Sequence, residues 1–349
     1  MPKNLLIITQ RVDEQDDLLG FFVDWIREFS LHFEKVFVIT LAKGKYQLPN
    51  NVFVYSLGKE SNNSTIARIY NFYKYLFQLV PKSSNIFAHM SPIFVIASWP
   101  ITRFYRKKII LWYLHRSVTG RLKLAERLVY KIATAAKESL RLNSDKIMEV
   151  GHGINVDKFT TIPDKRYEDL KILTVGRISP IKDLVTYIET GKILQARQLP
   201  FHMEIVGRPI MSGDHEYLKR LTTLVTKYQL EQWVQFTGFV PYSKIEEKYA
   251  SANVLINLAP TGGIDKTVLE AMATGCITFV CNQAFRKYFG DYADQLIFTH
   301  GRAEDLANKL EKYHSKSIEE KRAMAEFLQA QAHTHSIPVV IDKIINLFS

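Results

Sequence analysis

The sequence predicts an α/β protein made of two doubly wound parallel sheets, one in each half of the chain. Two observations predict it. Short apolar runs alternate with longer amphipathic segments, which is the pattern of βα units and so of parallel strands covered by helices on both faces. The same alternation then starts again after a break near Gly151-His152-Gly153 and Pro163, and 349 residues are enough for two domains of ordinary size.

Along the chain, the apolar run 5–9 is the first strand, and the segment 18–33, apolar on one face, is the first helix. Strands at 36–40 and 52–56 precede a helix at 65–79. A strand at 85–89 leads to a helix after Pro92, whose fixed φ suits a first helical turn. A strand at 109–115 and a helix from 121 to about 132 complete the first half. In the second half, strand 170–175 leads to helix 184–195 and strand 203–206 to helix 216–228. Strand 234–237 leads to helix 243–250, and strand 254–258 to a short helix near residue 265. The apolar segment 339–348 is a last helix. The domains are set at 1–160 and 161–335. No internal repeat or low-complexity tract interrupts them.

The most informative stretch is Gly262-Gly263-Ile264-Asp265-Lys266-Thr267-Val268-Leu269-Glu270-Ala271-Met272-Ala273-Thr274-Gly275. It reads as a glycine loop feeding a helix, with Asp265 as N-cap and Gly275 as a left-handed C-cap. Free backbone N–H groups at the positive end of a helix dipole make a seat for a phosphate or diphosphate. Glu270, one turn in, is within reach of the hydroxyls of a ribose carried by that diphosphate. Taken alone, the stretch is equally an ordinary tight turn between a strand and a helix. Upstream, Val175-Gly176-Arg177-Ile178-Ser179-Pro180-Ile181-Lys182 puts a guanidinium and an ammonium at the carboxyl end of a strand, where open α/β sheets bind ligands. Either cation alone reads as a solvated loop residue, whereas the two together with the Glu270 loop point to a diphosphate.

These residues carry a resemblance. Val175-Gly176-Arg177…Lys182 followed by Leu269-Glu270-Ala271-Met272-Ala273…Gly275 resembles the donor domain of family 4 (group 1) glycosyltransferases, over roughly residues 168–300. The resemblance implies the GT-B fold, two Rossmann-like domains facing a central cleft, and retaining transfer from a nucleotide-diphosphate sugar. It implies an acceptor-side domain at 1–160, a donor domain at 161–335, and a C-terminal helix at about 336–349 that packs back on the first domain. Arg177 and Lys182 match the residues that bind the donor diphosphate, and Glu270 the one that binds the ribose. Thr237-Gly238-Phe239-Val240-Pro241 matches a loop whose backbone meets the nucleobase, so Gly238, Phe239 and Val240 join the donor set with Gly262, Gly263, Ile264, Asp265, Lys266 and Thr267. One departure stands out: the family's usual first motif glutamate, eight residues before Glu270, is Gly262 here, which leaves the sugar without that carboxylate unless Asp265 replaces it.

Acceptor-side candidates come from strand ends in the first half. His115 follows Leu111-Trp112-Tyr113-Leu114, and a histidine at a similar place in the family contacts the transferred sugar. His89 ends the strand at 85–89 and is a comparable candidate; either ring is also at home as a structural histidine. The loop containing Asp16 and Asp17 either binds acceptor hydroxyls or supplies negative charge to a helix N-terminus. No second ligand cluster supports reading Asp16-Asp17 as a metal site, and no nucleophile–base pair stands out for a covalent intermediate. Arg177, Lys182 and the helix N-terminus would carry the leaving-group charge, with no metal and no cofactor beyond the donor substrate.

Composition narrows the partners. Residues 1–160 hold 23 Lys/Arg against 13 Asp/Glu, a balance of +10, while 161–349 hold 23 against 22. From Arg103 to Arg141 there are 11 basic residues against Glu126 and Glu138, with aromatics interleaved. Anionic lipid or an acidic acceptor sugar fits such a surface, as does a solvated basic face; no nucleic-acid signature accompanies it. No apolar run is long enough to span a bilayer, and no secretory leader is read at the start. Cys276 and Cys281 are expected as buried thiols. The expectation is a cytoplasmic glycosyltransferase at the inner face of a membrane, acting on a saccharide or lipid-linked acceptor. Competing readings are a sugar-nucleotide epimerase of the same fold and a silent nucleotide-sugar-binding scaffold. A nicotinamide enzyme is disfavoured because no G-x-G-x-x-G follows the first strand.

Overall fold

A computed structural model describes residues 4–16, 18–159 and 167–349. Two compact units emerge, Met1–Ile154 with His335–Ser349, and Asn155–Thr334. In unit 1 the elements are β1 Asn4–Val12, α1 Phe22–His32, β2 Lys35–Lys43, β3 Val52–Ser56, α2 Thr65–Leu79, β4 Asn85–His89, α3 Pro92–Phe104, β5 Lys108–Trp112, α4 Gly120–Leu128, β6 Lys131–Thr134 and β7 Ile147–Glu149. Unit 2 runs β8 Leu170–Val175, α5 Leu184–Ala196, β9 Phe201–Val206, α6 Ser212–Lys227, β10 Val234–Gly238, α7 Ile245–Ser251, β11 Val254–Asn257, α8 Lys266–Ala273 and β12 Ile277–Val280. It ends in α9 Arg286–Phe289, α10 Ala293–Leu296, α11 Ala303–His314 and α12 Ile318–His333, and α13 Ile337–Asn346 then belongs to unit 1.

Both sheets are parallel, ordered β3-β2-β1-β4-β5-β6-β7 and β10-β9-β8-β11-β12. The inner strands β4, β5 and β11 are buried on both faces, as parallel strands covered on both sides must be. In β1, Leu5 and Ile7 enter one core with α1 and α13, while Leu6 and Ile8 enter the other with α2, α3 and α4. The first core centres on Trp25, 4.9 Å from the Trp112 ring, with its indole N–H donating to Gly153 O at 2.9 Å. From the C-terminus, Val340, Ile341 and Ile344 fill the same core.

Several elements differ from the reading of the sequence. β5 stops at Trp112 rather than running to 115, so His115 lies on the following loop. The first helix starts at Phe22 rather than 18 because the Asp16 carboxylate caps the preceding turn, accepting from Leu18 N at 3.0 Å and Leu19 N at 2.8 Å. Pro100 sits inside α3, which runs from Pro92 to Phe104. The short strands β6 and β7, and helices α11 and α12, have no counterpart in the elements read from sequence.

Candidate functional site

In unit 2 the strand order reverses between β8 and β11, and at such a switch point an open α/β sheet has its crevice at the carboxyl ends of the strands. The loops along that edge are tied to one another. Gly176 N donates to Val206 O at 3.0 Å, Ile178 N to Arg208 O at 3.1 Å, and Gly207 N to Gly238 O at 2.8 Å. Gly207 has φ +150, and a Cβ there would lie 1.8 Å from Gly176 O, so only glycine lets these two strand ends approach.

Lys182 and Asp265 meet across the switch point. Lys182 Nζ donates to Asp265 Oδ2 at 2.8 Å, and Asn257 Nδ2, from the end of β11, donates to the same oxygen at 2.8 Å. The other carboxylate oxygen caps α8, accepting from Thr267 N at 3.3 Å and Thr267 Oγ1 at 3.1 Å. Burial pushes the Asp265 carboxyl up, but Lys182, Asn257 and Thr267 together outweigh it and hold the carboxyl well below the usual range. Asp265 is therefore an anion held by the lysine that sequence reasoning assigns to a diphosphate.

Glu270, one turn into α8, is 3% exposed and accepts from Tyr249 OH at 3.1 Å, with Lys266 Nζ 3.5 Å from its other oxygen. Burial raises the carboxyl's pKa, with Lys266 and Tyr249 opposing. The Lys266 ammonium also lies 4.6 Å from the centre of the Tyr242 ring and donates to its hydroxyl at 3.3 Å. Arg177 is exposed and turned the other way, its Nε 3.8 Å from Asp214 Oδ2. The Asp214 carboxylate accepts from Met211 N at 3.0 Å and Ile210 N at 3.3 Å at the head of α6. On the loop after β10, Gly238 has φ +80 and Phe239 is exposed, with the Arg208 guanidinium 4.5 Å over its ring; Val240 is half-buried.

Gly262 has φ +131 with open space where a Cβ would stand, and Asn282 Nδ2 donates to Gly263 O at 3.1 Å beside the buried Ile264. The usual glutamate would be strained at that backbone conformation, so the substitution belongs to the loop's path. The structure thus brings Lys182, Asp265 and Thr267 together and sets Lys266 beside Glu270. Asn257, Tyr249, Tyr242 and Asn282 were missed by sequence reasoning. Asn257 alone had a signal, as the polar end of the apolar run Val254-Leu255-Ile256.

The unit 1 candidates are more scattered. Asp16 spends its carboxylate on the turn before α1 and on Arg11, 3.1 Å away. Asp17 lies outside the described residues. His89 is wholly buried, stacked 3.7 Å from the Phe22 ring, with Nδ1 3.0 Å from Thr9 Oγ1. His115 is exposed, 5.6 Å from the Tyr113 ring. Asp16 follows β1 and His89 ends β4, the strands that flank the switch point of the first sheet.

Residues 156–329 match the family model described as Glycosyl transferases group 1. Over 138 residues the chain is 31% identical to the putative colanic acid biosynthesis glycosyltransferase WcaL of Escherichia coli (strain K12), covering 38% of this chain and 32% of WcaL. Over 139 residues it is 30% identical to the amylovoran biosynthesis glycosyltransferase AmsK of Erwinia amylovora, covering 38% of this chain and 33% of AmsK. The chain matches about a third of the length of these relatives (32% and 33%). Among solved structures, Anabaena HepE in complex with UDP superposes with a TM-score of 0.75 at 16% identity over 98% of both chains. A glycosyltransferase from Rickettsia africae superposes with a TM-score of 0.77 at 14% identity, over 99% of this chain and 98% of that one. At such identities the likeness is one of fold.

Proposed function

We propose a donor, a reaction and an acceptor class from one premise: the chain belongs to the group 1 glycosyltransferases, through residues 156–329, and has the GT-B fold. The proposed reaction is retaining transfer of a sugar from a nucleoside diphosphate to a saccharide or lipid-linked saccharide, without a metal. The observation that carries the reading is the Lys182–Asp265 pair, which spans the switch point between β8 and β11 at the head of α8. An incoming diphosphate would draw Lys182 onto its oxygens, beside the N-terminal amides of α8, while Arg177 swings from Asp214. As the C1–O bond breaks, its electron pair goes to the diphosphate, whose charge these groups stabilise. The acceptor oxygen bonds to C1 on the same face, and its proton passes to the leaving phosphate.

Anabaena HepE has been crystallised with UDP and with UDP-glucose, which makes UDP-glucose the first donor to try. WcaL and AmsK are described as colanic acid and amylovoran biosynthesis glycosyltransferases, which supports a saccharide under construction as acceptor. The proposed place of action is the inner face of a membrane, approached through the basic run from Arg103 to Arg141.

The test is a thermal-shift panel of nucleotide sugars with chelator present, followed by transfer assays. A true donor at a hundred times its Kd adds about 2.7 kcal/mol to stability. Arg177→Ala is expected to cut turnover by about 30- to 1000-fold, corresponding to roughly 2–4 kcal/mol of transition-state stabilisation. If no nucleotide sugar shifts the melting temperature, the donor site is misassigned. A donor that stabilises the fold but is neither transferred nor hydrolysed would instead favour a silent binding subunit, the reading to which Gly262 lends weight.

A further inference from the structure

The helix α2 is apolar on two sides. Phe72, Leu76 and Leu79 are buried in the core shared with α3 and α4. Yet Ile66, Tyr70 and Phe77 are 81%, 68% and 62% exposed, and Ile69 and Tyr73 are exposed beside them. At about 100° per residue these five side chains fall within an arc of about 100°, so they form one continuous stripe. Monomeric proteins seldom leave a stripe of that kind without a use. α2 contains no acidic residue, and Lys74 is exposed beside the stripe.

The rest of that layer is basic. α2, α3 and α4 cover the same face of the first sheet, and the Phe72 and Phe94 rings of α2 and α3 stack 6.3 Å apart. Exposed cations on or just beyond α3 and α4 include Arg103, Arg106, Arg121, Lys123 and Arg127, with Phe104 and Leu124 exposed among them. Net positive charge beside an outward apolar stripe argues against a second copy of this chain as the occupant. Two such faces, from halves that each carry +10 over residues 1–160, would repel. A surface that is anionic outside and apolar just beneath satisfies both features at once.

We propose that α2 is a lipid-insertion helix: its Ile66–Phe77 stripe enters the headgroup–acyl boundary of an anionic bilayer while the cations of α3 and α4 sit among the headgroups. This rests on the membrane location proposed above and names the element that carries it.

Vesicle sedimentation of the full chain tests the proposal, using phosphatidylcholine alone and phosphatidylcholine mixed with phosphatidylglycerol. The protein is expected to bind the mixed vesicles, less so as salt rises. The triple variant Ile69→Ser, Tyr70→Ser, Phe77→Ser changes exposed side chains only and should melt as the wild type does. It is expected to lose about tenfold or more in partitioning at unchanged net charge. Equal binding by wild type and variant, or no binding of mixed vesicles at low salt, would overturn the proposal. So would a concentration-dependent dimer that the triple variant dissociates. Donor binding is read in parallel by thermal shift with UDP-glucose. Failure there with vesicle binding intact would count against the donor site alone, and the reverse pattern against α2 alone.

Discussion

Burial lowers the pKa of His89 to about 3, so the folded protein keeps this ring neutral at pH values where the unfolded chain protonates it near 6.5. The unfolded state then binds more protons, and stability falls as pH drops below about 6.5, by up to about 1.4 kcal/mol per pH unit. His89→Leu keeps the packing against Phe22 and removes the proton site. Denaturant unfolding between pH 6.5 and 5 should show a shallower loss in the variant; an identical slope would mean the ring is accessible when folded. Asp265 acts in a different window. Its carboxyl is held low by Lys182 against the push of burial, so its contribution is present above about pH 3.8 and lost only below it. At this scale the sequence could name Lys182, Asp265 and Glu270 but not their partners. The Lys182–Asp265 bond joins residues 83 apart in the chain, and only the sheet order brings them together.

The elements that matter most to the proposed donor site are strand ends rather than helices. Gly207→Ala would place a methyl group 1.8 Å from Gly176 O, against backbone that cannot turn aside. It is expected to cost about 1–3 kcal/mol of stability and to weaken any donor-induced thermal shift, because the loop bearing Arg177 and Lys182 would be displaced. A melting temperature and donor response equal to the wild type would show that the β8 and β9 loops tolerate separation. α8 was legible from the sequence because its limits are written in local chemistry, an Asp265 cap at one end and a Gly275 turn at φ +76 at the other. β6 was not, because Lys131-Ile132-Ala133-Thr134 is too short to show a period and follows directly on α4. The outer stripe of α2 was illegible for the opposite reason: apolar residues at helical spacing are read as core, and only their exposure in the fold separates the two stripes.

At the scale of the whole chain, the repeated βα alternation made the two parallel sheets legible. It could not show which core the last helix completes. α13 fills the Trp25 side of unit 1, so Ile341→Asp, wholly buried there, is expected to destabilise that unit by about 3 kcal/mol or more. Unit 2 should be spared, and calorimetry should resolve an early transition that leaves donor-dependent stabilisation of the later one. A single transition lowered as one would show that the units unfold together. The discontinuity of unit 1 also sets the order in which the protein can mature. Its first 154 residues leave the ribosome well before His335–Ser349. At about 5–20 residues per second, the 180 residues of Asn155–Thr334 impose a wait of roughly 10–40 s. Throughout that interval the floor under Trp25 and Trp112 lacks its cover, and every nascent chain passes through a stage at which chaperones can hold it and proteases can judge it.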